Sequence, residues 1–330
     1  MAKKDVLTAS AGDIVMIAGI PDIYIGETLV DNEATEAMPA ITVDEPTISF
    51  NMFVNDSPFV GRGSAKYLTG RQIRERLEKE LEINVGLQVD FSDEAKYRVF
   101  GRGEMHLAVL IENMRREGFE FGISRPEVIV KEIEGVKCEP FEHLVIDVPE
   151  TLGGTVIERL GKRKAEMKSM VPMGIGFQRI EFEIPARGLI GFRGQFLTDT
   201  KGEGVMNHSF IEFRPYSGTV ESRQYGALIS TEKGEAMAFS IFNLQDRGGM
   251  FIKPQDKVYE GMIIGEHYRS NDLSVNPIKG KAQSNVRSSG ADEAIKLVPP
   301  RDMNLEKALD WIEDDELLEI TPESVRIRKR

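Results

Sequence analysis

The residues best suited to chemistry in this chain are cations placed where phosphate could meet them. Between Arg269 and Arg301 the chain reads RSNDLSVNPIKGKAQSNVRSSGADEAIKLVPPR, polar and without a clear hydrophobic period. Arg269, Lys279, Lys281, Arg287, Lys296 and Arg301 stand there against Asp272, Asp292 and Glu293, a local positive excess in a chain of formal net charge -12. Loops this long without structure of their own are usually functional or disordered. A basic arm on an acidic body suits an anionic partner. Ser284, Asn285 and Ser288 add groups that can donate to phosphate, ribose or base edges. A flexible surface loop with ordinary solvated charges has the same appearance, and the stretch alone does not separate the two.

Two further basic stretches compete with it. Arg159, Lys162, Arg163, Lys164 and Lys168 follow one another along an expected helix. Arg187-Gly-Leu-Ile-Gly-Phe-Arg-Gly194 carries three glycines at a spacing of three. Each Gly costs about 1 kcal/mol relative to Ala inside a helix, so the spacing needs a reason. It bares backbone on one side, which suits close approach to another surface, and Arg187 and Arg193 would then flank a phosphate. Tight packing of a helix on its neighbour uses Gly for the same steric reason.

Enzymatic constellations are missing from the pattern. There is no GxxxxGK[ST] to cradle a triphosphate; before Gly161-Lys162, Val156 stands at the first Gly position, and Arg163 follows where Ser or Thr belongs. Gly101-Arg-Gly103 lies between a strand and a helix, but His106 occupies the third Gly position of a dinucleotide fingerprint. His106, His143, His208 and His267 are scattered, with neither HExxH nor CxxC, so no metal is expected. Cys138 has no visible group to orient it as a nucleophile and reads as structural. No enzyme activity, cofactor, metal or small-molecule substrate is therefore expected of this stretch of protein.

The elements that must position these cations follow from periodicity. Asp13–Gly19 and Asp22–Leu29 read as two short strands, and residues 1–44 as the end of a β-domain whose earlier strands lie upstream. Thr47–Val54 alternates as a strand. Thr69 with Gln72 matches a capping box, and Ile73, Leu77 and Leu81 give the following helix its apolar face. Strands at 85–91 and 97–100 follow, then a helix with Leu107, Leu110, Ile111 and Met114 on one face, stopped by Gly118. A strand at 119–123 completes a β-α-β-β-α-β, ferredoxin-like order. The order recurs: strands at 128–133 and 143–148, a helix over 155–168, a strand at 177–184, a Gly-rich helix over 187–200 and a strand at 205–213. Beyond 217 the texture is β-rich, with strands expected at 227–230, 236–242, 257–259, 262–266 and 325–329. Asn304 caps a helix with Leu305, Ala308, Leu309 and Ile312 on one face. Residues 302–320 hold eight acids and one lysine and read as a solvated acidic surface. The fold class is thus α+β multidomain: two ferredoxin-like units, then a β-rich C-terminal domain with a long basic loop and a short helix.

At 330 residues, 41% apolar and 29% charged, the chain is ordinary for several globular domains. No apolar run is long enough to span a membrane, and a single cysteine fits a reducing compartment. The acidic balance argues against wholesale coating of nucleic acid, so RNA contact would come from local patches.

Several segments together resemble the C-terminal part of the BipA (TypA) family, ribosome-associated translational GTPases related to elongation factor G. They are Val43-Asp-Glu-Pro-Thr-Ile-Ser, Gly101-Arg-Gly-Glu-Met-His-Leu, Ile111-Glu-Asn-Met-Arg-Arg-Glu-Gly-Phe-Glu, Pro185-Ala-Arg-Gly-Leu-Ile-Gly-Phe-Arg, Leu244-Gln-Asp-Arg-Gly, Val258-Tyr-Glu-Gly-Met-Ile-Ile-Gly, Arg269-Ser-Asn-Asp-Leu and Leu297-Val-Pro-Pro. The likeness runs over essentially the whole chain. It implies the end of a β-barrel domain at 1–44, ferredoxin-like domains at 45–125 and 126–216 similar to domains III and V of elongation factor G, and the family's own C-terminal domain at 217–330. It implies a bacterial, cytoplasmic protein that binds the ribosome, contacts ribosomal RNA, A-site tRNA and ribosomal proteins, and supports large-subunit assembly and translation under stress or low temperature. GTP and Mg would belong to an upstream domain. On this reading Arg269, Lys279, Lys281, Ser284, Asn285, Arg287, Ser288, Arg187, Arg193, Lys162, Arg163 and Lys164 are the candidate RNA contacts.

Two rivals remain. One is a protein–protein scaffold using the acidic helix over 305–316. The other is an enzyme using the cleft between the two α/β units, for which the sequence offers no convergent set of titratable groups.

Overall fold

In this computed structural model, the residues described are 6, 8–17, 19, 20, 23, 25–32, 35–39, 45–174, 176–220, 223–280 and 296–330. The first unit assembles around β1 (Ile48–Phe53), whose alternation buries Ile48, Phe50 and Met52. Helix α1 (Gly70–Ile83) starts where Thr69 and Gln72 close a reciprocal capping box, and it buries Ile73 and Leu77. The strands β2 (Gln88–Asp90) and β3 (Lys96–Gly101) lead to α2 (Glu104–Glu117), which buries Leu107, Leu110, Ile111 and Met114. Gly118 ends α2 with φ 101°, a left-handed conformation that glycine adopts without steric cost. Strand β4 (Phe121–Ser124) returns beside β1, giving the spatial order β4-β1-β3-β2.

After two short strands, β5 (Glu127–Val128) and β6 (Lys131–Ile133), the same succession is repeated: β7 (Val136–Pro149), α3 (Gly153–Lys162), β8 (Glu166–Gly174), β9 (Phe177–Pro185), α4 (Phe192–Asp199) and β10 (Val205–Pro215). Its sheet runs β10-β7-β9-β8, the order of the first unit. Two expectations are corrected here. The helix expected over 155–168 ends at Lys162, because Lys164 turns back with φ 68°, and the chain continues as β8, paired along β9. The Gly-rich segment is not one helix either. A single 3-10 turn at Ala186–Gly188 is followed by Gly191 at φ 68°, and only then does α4 begin.

The C-terminal part contains β11 (Ala227–Ser230), β12 (Gly234–Glu235), α5 (Ala238–Leu244), β13 (Gly248–Met250), β14 (Lys257–Val258), β15 (Met262–His267), β16 (Leu273–Val275), α6 (Leu305–Trp311), β17 (Glu316–Ile320) and β18 (Val325–Lys329). The strand expected at 236–242 is mostly helix α5: Ser240, Ile241 and Leu244 share a buried face at helical spacing. The basic stretch is not featureless, since β16 pairs in parallel with β11 and buries Val275. The acidic helix stops at Trp311, and the last acids belong to a strand.

That strand joins two units. β17 pairs antiparallel with β4, Leu318 opposite Ile123, so one eleven-stranded sheet runs from β16 through β17 and β4 to β2. The core follows the sheet: Phe50, Met52, Ile111 and Ile123 pack in one cluster with Leu309, Leu318 and Ile327. The second unit has a separate core around Leu144, Val156, Phe182 and Phe196.

The two N-terminal strands are not formed at the described positions of 13–29. Ile14 and Met16 are 102% and 81% exposed. A strand needs a neighbour's N–H and C=O groups, and none lies beside this segment among the described residues. No helix of the described residues is long and apolar enough to cross a membrane.

Candidate nucleic-acid interface

Helices α3 and α4 form one layer over the sheet of the second unit. Val156, Leu160, Phe192 and Phe196 pack inward onto Ile146, Ile180 and Phe182, and Arg159 ties the helices together through Asp199 at 2.7 Å. The polar side of the layer faces solvent. Lys162 pairs only with Glu158 on its own helix, at 2.9 Å with both side chains exposed, an arrangement that contributes little to stability. Lys164 and Arg193 are exposed and have no side-chain partner among the described residues. Lys201, which sequence reasoning missed, is exposed in the turn after α4 with φ 53°; its signal was a lysine before Gly202 in a chain whose acids outnumber its cations.

A cleft of about 980 Å³ separates this layer from residues 125–130, 216–220, 223–225 and 310–314. Arg125, Arg159, Lys162, Arg163, Arg187 and Arg223 line it, with Tyr216, Tyr225 and Trp311 as aromatic wall. Most of these cations have partners. Arg125 reaches Asp314 at 2.9 Å. Arg223 lies 3.6 Å from the centre of the Trp311 ring and binds Glu316 at 2.9 Å.

Two residues expected at phosphate are engaged inside the protein instead. Arg187 pairs with Glu139, which is fully buried, donates to Ser217 Oγ at 3.0 Å and stacks 4.3 Å from the Tyr216 ring. Arg163 donates to the carbonyls of Gly188 and Ile190 at 2.9 and 2.8 Å. Burial lowers the Arg163 pKa from its ordinary value, against the raising effect of Asp310 and Glu104. The glycines that suggested RNA approach are explained by the same contacts. A Cβ on Gly188 would lie 2.6 Å from the Arg163 carbonyl, one on Gly191 3.0 Å from the Asp310 carbonyl, and one on Gly194 3.1 Å from Asp310 Oδ2. The bare backbone faces α6 and the end of α3.

Asp310, which lines the cleft, belongs to a carboxyl pair that residue spacing does not reveal. Glu104 at the start of α2 faces Asp310 on α6, together with the Gly191 N–H and Arg163. Burial, and next the charge of Asp310, push the Glu104 carboxyl up; burial also pushes Asp310 up.

Of the basic stretch, Arg269 and Lys279 are exposed, and neither lines the cleft. Arg301 turns back to Glu266 at 2.6 Å. Lys281, Ser284, Asn285, Arg287 and Ser288 lie outside the described residues. The acids read as a solvated surface are partly interior: Glu316 and Glu319 are fully buried, paired with Arg223 and Arg326. Among the described residues no three His, Cys, Asp or Glu side chains converge to hold a metal ion.

Residues 225–330 match the TypA/BipA C-terminal domain, and residues 136–224 match the elongation factor G C-terminus. A Synechocystis protein named large ribosomal subunit assembly factor BipA is 53% identical over 322 residues, 97% of this chain and 54% of that protein. This chain belongs to the BipA family. Proteins of the same name from Escherichia coli O6:H1 and Haemophilus influenzae are 53% and 51% identical, over 98% of this chain and 53% and 52% of theirs. The chain therefore spans about half the length of the BipA relatives it matches. A crystal structure of a Thermus thermophilus protein aligns with 54% of this chain and 42% of its own at 14% identity and a TM-score of 0.36, too low to bear on the fold.

Proposed function

We propose that this chain is the ribosome-docking, RNA-contacting portion of a BipA-type translational GTPase acting in large-subunit assembly and in translation under stress or low temperature. Residues 45–125 and 126–216 are its two ferredoxin-like domains, 217–330 its family-specific domain, and 1–44 the end of a β-barrel domain. GTP and Mg are held elsewhere in the whole protein, which works in the bacterial cytoplasm, and this portion performs no chemistry of its own. The observation that supports an RNA face is the α3/α4 layer: an acidic chain of net charge -12 exposes Lys162, Lys164, Arg193 and Lys201 around one helical surface. Ribosomal RNA backbone is the partner such cations fit, since phosphate contact needs charge and reach but no base pocket. Arg269, Lys279, Lys281 and Arg287, with Ser284, Asn285 and Ser288, form a second contact directed at tRNA. Arg187 and Arg163 serve it indirectly, by holding the layer in place.

Cosedimentation with ribosomes at two salt concentrations tests the reading. The triple variant K162E/K164E/R193E is expected to bind more weakly, its log–log salt slope reduced by about one for each phosphate no longer engaged. Unchanged affinity and slope would remove this layer from the interface.

A further inference from the structure

Three parts of the molecule meet at one enclosed carboxyl. Glu104 opens α2 in the first unit, Asp310 lies on α6, and Arg163 and Gly191 flank α3 and α4 in the second unit. The Glu104 carboxyl faces Asp310, the Gly191 N–H and Arg163, and its Oε1 is sealed without a hydrogen-bond partner. Arg163 is turned to two carbonyls rather than to either acid. Glu306, one turn before Asp310, adds more negative charge. Two facing carboxylates, one of them sealed from water at Oε1, cannot both stay ionised at low cost, which favours one proton shared between them. The backbone is shaped for the contact, since Gly191 and Gly194 bring α4 against the Asp310 carbonyl and carboxylate.

We infer that the Glu104–Asp310 pair is a proton-dependent latch: with its shared proton it closes the second unit onto the sheet common to the other two, and losing that proton frees the α4–α6 seam and widens the cleft above it. The seam carries less strand pairing than the joint between the other two units. The first unit and the C-terminal part are sewn together by β4–β17 strand pairing. The second unit is tied to them by side chains and by the short β1–β5 pairing, at Ile48–Val128 and Ser49–Glu127. The closed form holds the proton more tightly than the open one, because burial and the Asp310 charge push Glu104 up to about 8 from an ordinary 4.5. Rising pH therefore favours opening across that window. One proton shifts the opening equilibrium by at most about tenfold per pH unit.

Trp311, the sole tryptophan, adjoins Asp310 and donates its Nε1–H to Glu266 at 3.1 Å, so its emission reports on the seam. The experiment follows Trp311 emission and hydrogen exchange of the α4 amides from pH 6 to 8.5, corrected for intrinsic base catalysis. It uses the full chain and the variants E104Q and D310N. The wild type is expected to show an emission titration and an α4 exchange rate rising by up to about tenfold per pH unit. Both variants should lose the titration, because neither can present two carboxylates. A flat wild-type profile, or a titration that survives in both variants, overturns the latch. If E104Q does not fold, D310N decides. If neither folds at any pH, the pair is a folding element and the latch is refuted.

Discussion

Glu319 and Glu104 are both enclosed acids at joints between units, and their surroundings differ in the number of donors. Glu319 Oε1 accepts from Asn55 Nδ2 at 3.1 Å, Ser57 Oγ at 2.8 Å and Arg326 Nη1 at 3.0 Å, and its Oε2 accepts from the Tyr259 hydroxyl at 3.0 Å. Those donors come from the first unit and from the C-terminal part, so a single carboxylate fastens both. Burial, followed by the Glu319 charge, pushes the Tyr259 phenol pKa well up. Glu104 sits where the second unit joins, and it has a facing acid in place of a ring of donors. A buried charge is tolerable when every lone pair is met and costly when it is not. The first joint is continuous in backbone, core and polar network. Among the described residues the second has in its backbone the short β1–β5 pairing and the Ile129 N–H to Thr47 carbonyl bond at 2.9 Å, with distinct core clusters on its two sides bridged by Ile190.

The largest effect should come from breaking the well-satisfied joint. Glu319→Ala leaves Arg326, Asn55, Ser57 and the Tyr259 hydroxyl without their acceptor in an interior site. Loss of one partner from a buried pair costs about 3–5 kcal/mol. Urea denaturation should show that loss in the transition that unfolds the shared sheet. A shift under about 1 kcal/mol would mean that water replaces the carboxylate and that the two joints are alike.

The poorly satisfied joint should respond to pH. Because the Glu104 pKa is raised in the folded state, the folded protein binds the extra proton. The stability gained from that proton is fully present below the ordinary 4.5 and is lost as pH rises toward about 8. Relative to E104Q, the wild type should therefore lose stability with rising pH, by at most about 1.4 kcal/mol per pH unit. Urea midpoints at pH 6, 7 and 8 check this. Parallel curves for the two proteins would count against the shared proton.

Gly191→Ala sharpens the comparison on the steric side. The residue has φ 68°, and a Cβ would lie 3.0 Å from the Asp310 carbonyl. A left-handed alanine costs about 1–2 kcal/mol, and the contact pushes α4 away from α6. Hydrogen exchange should quicken in α4 while β4 and β17 keep their protection. Equal loosening of both joints would contradict their independence.

Much of the local structure could be read from the residues. The Thr69–Gln72 box, the Gly118 stop and the Asn304 cap act within a few residues of themselves, so sequence spacing is enough to find them. What spacing missed depends on distant partners. Glu316 and Glu319 look like solvent charges until Arg223 and Arg326 meet them. The short apolar runs before Leu29 look like strands, but no neighbouring strand is there to pair with them among the described residues. Ala238–Leu244 is apolar enough to suit a strand or a buried helix, and packing chose the helix. At the candidate interface, the basic stretches of the second unit were visible as charge. Which arginines face inward was not, because a guanidinium that reaches carbonyls 25 and 27 residues away leaves no mark in sequence spacing.

The smallest expected effect separates the surface from both joints. Lys164 and Arg193 are exposed and have no side-chain partner among the described residues, so K164E/R193E removes no packing contact or ion pair there. Surface changes of this kind stay within about 0.5 kcal/mol. The urea midpoint should match the wild type at every pH, including the range in which the Glu104–Asp310 pair titrates. If the surface variant instead copied the pH profile of E104Q, charge on the outer face of the α3/α4 layer would be coupled to the seam beneath it. The second unit would then respond to an anion on its surface and to a proton at its base as a single body.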